Sequence, residues 1–257
     1  KLSRAESLKK KNHIKEELRS GMINIVIGTH ALLSQDIHFH KLGLIIIDEE
    51  QSFGVEQKER LKKFKPNCHI LTLSATPIPR TLQSSIFKIK NISLIKTAPV
   101  NRLNVKTFLM LHDKKQIKKI ISREVDRGGQ VFYVTPRIAD LEKIKKNLIN
   151  LLPNLRFDFI HGQLPSRQIE NSYERFFKKD TQLLISTAMI ESGLDISNVN
   201  TIIIEKPYLF GLSQLYQLRG RVGRSSRQAY AYLIVENFQK IGEDSLKKIQ
   251  IISRINS

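Results

Sequence analysis

Short runs of apolar, mostly β-branched residues constrain this chain more than anything else in it. Residues 42–48 (LGLIIID), 69–73 (HILTL), 130–135 (QVFYVT), 182–187 (QLLIST) and 201–205 (TIIIE) are apolar on successive rather than alternating positions. A run of that kind fits a strand covered on both faces, as in a parallel sheet. Residues 23–28 (INIVIG) read as a further strand. Polar, helix-like sequence follows the runs, and strand-then-helix repetition argues an α/β fold.

The repetition comes in two series. In the first, residues 3–20 read as an exposed helix stopped by Gly21, followed by the strands at 23–28, 42–48 and 69–73. The rhythm then breaks around Pro99. In the second, strands are expected at 105–109, 130–135, 157–161, 182–187, 201–205 and 229–235, with helices at 114–126, 138–152, 167–177 and 212–219. The tail from 238 is basic and weakly amphipathic. The expected organisation is therefore two α/β units in tandem, 1–97 and 105–257, joined by a linker at 98–104. The chain opens on Lys rather than Met, so a fragment of a longer protein is expected.

Charge narrows the partners. The chain of 257 residues carries 43 Lys and Arg against 24 Asp and Glu, a net charge of +19. That favours an anionic polymer, most commonly nucleic acid, although drift in a lysine-rich proteome gives the same balance. An apolar fraction of 40% is enough to build cores. One cysteine, Cys68, excludes an internal disulfide framework and a Cys-rich metal site. No run of 18 apolar residues is present, and the Lys-rich start lacks the apolar stretch of a secretory signal. A cytoplasmic protein is expected.

Several polar stretches sit just after strands, where ligands bind in open α/β sheets. Asp48 and Glu49 end the LGLIIID run, within Asp48-Glu49-Glu50-Gln51. One acid can hold Mg²⁺ through oxygen and its neighbour can polarise a water, or the pair is a solvated turn. Ser74-Ala75-Thr76 follows HILTL; its hydroxyls could relay the state of a nucleotide, or cap the next helix. The most specific stretch is QLRGRVGR, from Gln217 to Arg224. Its arginines 219, 221 and 224 are spaced by small residues that let a phosphate approach, and each presents a planar fork to phosphate oxygens. In Thr187-Ala-Met-Ile-Glu-Ser-Gly-Leu-Asp195, Gly193 permits a tight loop and Asp195 could take a ribose hydroxyl. Thr29-His30 and His161-Gly162-Gln163 also follow strands and could hold nucleic-acid phosphates, although a histidine there is often structural.

Taken in order, DEEQ, SAT, STAMIESGLD and QLRGRVGR resemble superfamily-2 helicase and translocase motors over nearly the whole chain. DEEQSFGVEQKERLK, LTLSATPIPRTL and GLSQLYQLRGRVGRS are more specifically similar to the bacterial transcription-repair coupling factor (Mfd) family. The RecG family shares TPIPRT and QLRGRVGR, but its acidic motif usually reads DEQH.

The resemblance implies two tandem RecA-like lobes with mostly parallel sheets, the first truncated at its amino end. It implies an ATPase in which Asp48 serves Mg²⁺ and Glu49 activates water. Gly193, Asp195, Gln217, Arg221 and Arg224 would line ATP, the two arginines reaching its γ-phosphate. Gln51 would link the nucleotide site to DNA, Ser74 and Thr76 would belong to the motif that couples the lobes, and Thr29, His30, His161 and Gln163 would lie near the DNA backbone. Implied partners are double-stranded DNA and, in the intact protein, RNA polymerase and the excision-repair damage-recognition protein. The family also needs a phosphate loop, G-x-x-x-x-G-K-[ST], and no Gly-Lys pair occurs in the sequence. That loop is expected upstream, with no ATP hydrolysis by this segment alone.

Overall fold

A computed structural model describes residue 2 and residues 7–49, 53–64, 68–74, 92–95, 97, 103–187, 196 and 198–254. The chain divides into two compact units, Lys1–Pro77 and Ile78–Ser257. The division falls earlier than the expected lobe boundary at 97, and most of the residues between lie outside the described set.

In the first unit, α1 (Leu8–Ser20) starts at Ser7, whose hydroxyl accepts from the Lys10 N–H. It stops at Gly21, which takes φ +81° and returns its N–H to Glu17. Ile14 and Leu18, one turn apart, bury the helix against Leu2 and Ile37. β1 (Leu44–Asp48) and β2 (His69–Leu73) flank α2 (Val55–Phe64) and pair in parallel, in register from Leu44 opposite His69 to Asp48 opposite Leu73. Cys68 donates its thiol to the Phe64 carbonyl at 3.1 Å.

The second unit is one six-stranded, all-parallel sheet. Its strands are β3 (Lys106–Leu111), β4 (Gln130–Val134), β5 (Phe157–Ile160), β6 (Leu183–Ser186), β7 (Val199–Glu205) and β8 (Tyr230–Val235), in the order β3-β8-β7-β4-β6-β5. The helices are α3 (Lys114–Asp126), α4 (Ile138–Leu151), α5 (Ser166–Phe177), α6 (Leu212–Arg219) and α7 (Glu243–Arg254). The successive apolar residues work as their sequence implies. Phe132, Val134, Ile202 and Ile204 enter the core of one face, while Val131, Tyr133 and Ile203 enter that of the other. Each fully buried side chain of this size contributes roughly 1.5–3 kcal/mol. Gln130 ties the sheet to α5: its buried amide donates to the carbonyls of Phe176 and Thr181 at 2.7 and 2.8 Å.

Two expectations need correction. Residues 23–28 are not a strand. Their one described pairing is a bridge between Leu2 and Gly28, and Ile25 and Ile27 are exposed. β-branched residues favour extended backbone, but a strand exists only where a neighbour takes its amides and carbonyls. β1 is not buried on both faces: Leu44 and Ile46 are 54% and 59% exposed. Among the described residues β1 and β2 pair only with each other, and only Ile47 of this strand is buried. The basic tail from 238 carries α7, which buries Ile249 and Ile252 in the same core as Val105 and Leu233. Among the described residues no helix is long and apolar enough to cross a membrane.

Candidate functional site

The first unit brings two of the singled-out segments to one edge. Asp48 sits opposite Leu73 in the β1–β2 register, and the next residue, Glu49, donates its N–H to the Leu73 carbonyl at 3.0 Å. Ser74 follows directly, so the acidic pair and the start of SAT lie at the same carboxyl end. Glu49 has φ +53°, a left-handed conformation that turns the chain out of the strand line at this point. Non-glycine residues held this way cost energy and concentrate at functional sites. Asp48 is exposed and offers a hard oxygen donor. No cluster of three or more His, Cys, Asp or Glu converges as a metal cage among the described residues. A lone carboxylate fits Mg²⁺, which keeps several waters and takes further oxygens from substrate phosphates.

Thr29 and His30 open a short 3-10 helix, His30–Leu33, in the same unit. His30 packs its ring on Phe53 at 4.5 Å, and the Arg60 guanidinium of α2 donates to the Leu33 carbonyl at 2.6 Å.

In the second unit, QLRGRVGR spans the end of α6 and the turn after it. Leu218 and Val222 are buried and anchor the segment. Gly220 closes the helix in a right-handed conformation, and Arg221 returns its N–H to Leu218 at 3.1 Å. Gly223 takes φ +77°, and a Cβ there would sit 3.0 Å from Val105. A side chain at 223 would be strained and crowded, so this glycine sets the path from Arg221 to Arg224. Arg221 is buried and Arg224 exposed. Burial pushes the Tyr173 hydroxyl up to about 12, against the opposing charge of Arg221. Arg219 lies over the Tyr216 ring, 5.4 Å from its centre, and one of its terminal nitrogens is buried with no hydrogen-bond partner among the described residues. That burial pulls its guanidinium below the ordinary arginine value. A buried, unsatisfied donor on a permanent cation suits an incoming anion.

A parallel sheet collects the carboxyl ends of its strands at one edge. His112, Thr135, His161, Thr187, Lys206 and Glu236 follow the six strands there. His161 keeps its Nδ1 buried without a partner among the described residues and its ring near-parallel to Phe159; Gln163 is exposed in the turn that follows.

The same edge holds a polar network that the sequence reading missed. Glu205 accepts from the Tyr133 hydroxyl at 2.5 Å and lies 3.5 Å from His112 Nε2. Burial first, and Glu205 second, push the Tyr133 hydroxyl well above its usual range. The hydrogen bond to Glu205 raises His112 despite partial burial. Lys206, at φ +48°, bonds both oxygens of Asp140 at 2.9 and 3.0 Å. It loses solvation, but Asp140 and Glu236 outweigh that loss and hold its ammonium above the ordinary value. The available signal was an acid ending an apolar run, TIIIE, as in LGLIIID.

Gln51, Thr76, Gly193 and Asp195 lie outside the described residues. Of the other singled-out residues, Asp48, Glu49 and Ser74 share one strand edge. Gln217, Arg221 and Arg224 share one helix end and turn.

Residues 1–85 match the DEAD/DEAH box helicase family, and residues 113–226 match the helicase conserved C-terminal domain. The chain is 50% identical over 251 residues to the transcription-repair-coupling factor of Rickettsia prowazekii, covering 98% of this chain and 22% of that protein. It is 44% identical over 251 residues to a chloroplastic ATP-dependent DNA helicase of Arabidopsis thaliana, covering 98% of this chain and 30% of that protein. Among solved structures it is similar to RecG bound to a three-way DNA junction, with a TM-score of 0.74 and 34% identity, covering 100% of this chain and 34% of that one. The chain therefore spans only about a fifth to a third of the length of these relatives.

Proposed function

We propose, since the chain is built as the two RecA-like lobes of a superfamily-2 helicase similar to transcription-repair coupling factors, that it is part of an ATP-driven motor that moves along duplex DNA. In the intact protein this motion would displace stalled RNA polymerase and recruit the excision-repair damage-recognition protein, in the cytoplasm. The observation that carries the reading is the 50% identity to a coupling factor across 98% of the chain.

Each unit supplies one half of the chemistry in this reading. ATP with Mg²⁺, when bound, supplies the phosphoanhydride whose cleavage drives movement. Asp48 would hold the metal through a carboxylate oxygen, and Glu49 would accept a proton from the attacking water. Arg221 and Arg224 would face phosphate oxygens and offset the charge that develops in the transition state. Gly193, Asp195 and Gln217 would position the nucleotide. Gln51, Ser74 and Thr76 would couple its state to DNA held near Thr29, His30, His161 and Gln163. The phosphate loop is absent from this sequence, so this segment alone is expected not to turn over ATP.

A second reading, action on branched DNA, draws on the RecG structure at 34% identity. The test places this segment in the full-length Rickettsia prowazekii relative and measures DNA-stimulated ATP hydrolysis and release of stalled RNA polymerase. Both activities are expected, and both should stop in Glu49→Gln while nucleotide still binds. Hydrolysis without polymerase release would favour the branched-DNA reading. Undiminished turnover in Glu49→Gln would remove Glu49 as the base.

A further inference from the structure

β3 is the edge strand of the six-stranded sheet, and among the described residues it pairs only with β8. Lys106 and His112 send their N–H groups to Ala229 and Val235 of that neighbour. By the alternation of a parallel ladder, Thr107, Leu109 and Leu111 direct theirs to the open side. α3 packs through Ile117 and Ile121 on the sheet interior, beside β3. A groove of about 470 Å³ remains between them, lined by Phe108, Met110, Ile120 and Tyr232, with Lys119 and Arg123 at its rim. Phe108 is 45% exposed and stacks on Tyr232 at 5.4 Å. Arg123 and Arg127 lie over the Tyr230 ring at 5.5 and 5.2 Å. Asp113, also in the groove lining, is engaged as the cap of α3.

We propose that this groove docks an acidic peptide segment of a partner protein through an apolar anchor side chain. The floor is apolar and deep enough for one such anchor. The open backbone of β3 can pair with an extended peptide, which presents side chains to the groove at every second residue. Lys106, Lys119 and Arg123 complement carboxylates flanking the anchor. Single-stranded nucleic acid fits less well. The face of Tyr230 is already covered by two guanidinium groups, and Met110 and Ile120 offer no ring for a base. A second copy of this chain would bring like charge against like, at a net +19 each.

The test selects binders of the full chain from a displayed pool of short random peptides. Their affinities for the wild type, Lys119→Glu/Arg123→Glu and Phe108→Ser are then measured by fluorescence anisotropy. Acidic peptides with apolar residues at alternate positions are expected, weakened about tenfold or more in both variants. The charge-reversed variant changes exposed side chains only, so an unaltered circular dichroism spectrum separates lost docking from lost folding. Enrichment of no acidic class, or affinities for the two variants unchanged from the wild type, overturns the proposal. So does displacement of the peptide by a thymidine oligonucleotide that binds more tightly and depends on the same residues. Self-association abolished by the charge-reversed variant would assign the groove to a second copy instead, and also overturns it.

Discussion

Glu49 hangs from Leu73 by its backbone: its N–H meets the Leu73 carbonyl at 3.0 Å while its own φ is +53°. The candidate base is thus fixed by the neighbouring strand and held in a conformation that favours glycine. Glu49→Gly should stabilise the first unit by up to about 1 kcal/mol while removing the carboxylate. Glu49→Pro, which deletes the N–H and forces a negative φ, should cost about 3 kcal/mol or more. Urea denaturation of the two variants checks both signs.

Gly223 and Gly220 should separate cleanly. Gly223→Ala places a side chain at φ +77° and 3.0 Å from Val105, and should cost about 1–3 kcal/mol. Gly220→Ala keeps a right-handed conformation, with its Cβ 3.3 Å from the Tyr216 carbonyl, and should cost less. Thermal unfolding of both variants decides this. In the full-length chimera, Gly223→Ala should also lower ATP turnover, because the path to Arg224 runs through it.

Arg221 and Arg224 belong to one stretch but differ in burial. In the chimera, Arg224→Ala should lower kcat by about 10³-fold or more with little effect on folding. Arg221→Ala should lower both kcat and the melting temperature. Single-turnover ATP hydrolysis together with calorimetry separates the two.

His112 gives the second unit a dependence on pH. Its folded pKa is raised, chiefly by the hydrogen bond to Glu205, so the protonated ring favours the folded state. That stabilisation is complete below the unfolded value of about 6.5 and is lost as pH rises through the folded value. His112→Gln should therefore be less stable than wild type at about pH 6, the gap narrowing toward about pH 8.5. Melting temperatures across that range test it, and a constant gap would exclude His112 as its source.

Glu124 is 2% exposed, and its carboxylate accepts from Thr201 and from Arg127, which donates through Nε at 3.0 Å. Removing one partner of a buried pair strands the other. Glu124→Ala should cost about 3 kcal/mol, the lower end of the usual range because Arg127 is partly open to water. Thr201→Val should cost less. Guanidinium denaturation of the single and double variants gives the coupling.

Much of this was legible in the sequence because one physical signal carried it. A buried parallel strand must be apolar on both faces, and QVFYVT, QLLIST and TIIIE say so without help from neighbours. α3 and α6 were equally plain: Asp113 caps the first, and Gly220 stops the second. Residues 23–28 failed because β-branching reports a preference, whereas a strand needs a partner that sequence does not name. α7 was less plain, because only their place beside Val105 makes Ile249 and Ile252 core. At the candidate site, QLRGRVGR announced itself by its spaced glycines and arginines. The Glu205, His112 and Tyr133 network did not, since it joins three strands far apart in sequence.

The pairing of β3 with β8 joins the first strand of the second unit to its last, Lys106 beside Tyr230. During synthesis from the amino end, β3 emerges early and has no neighbour until nearly the whole unit has left the ribosome. Its aromatic and aliphatic face stays open over that interval, so the nascent chain carries a sticky edge that only completion can close. Contacts this distant in sequence also make folding slow. A ribosome stalled between β7 and β8 would thus display a nearly finished sheet lacking the strand that anchors its first, and that species is the one chaperones should be found holding.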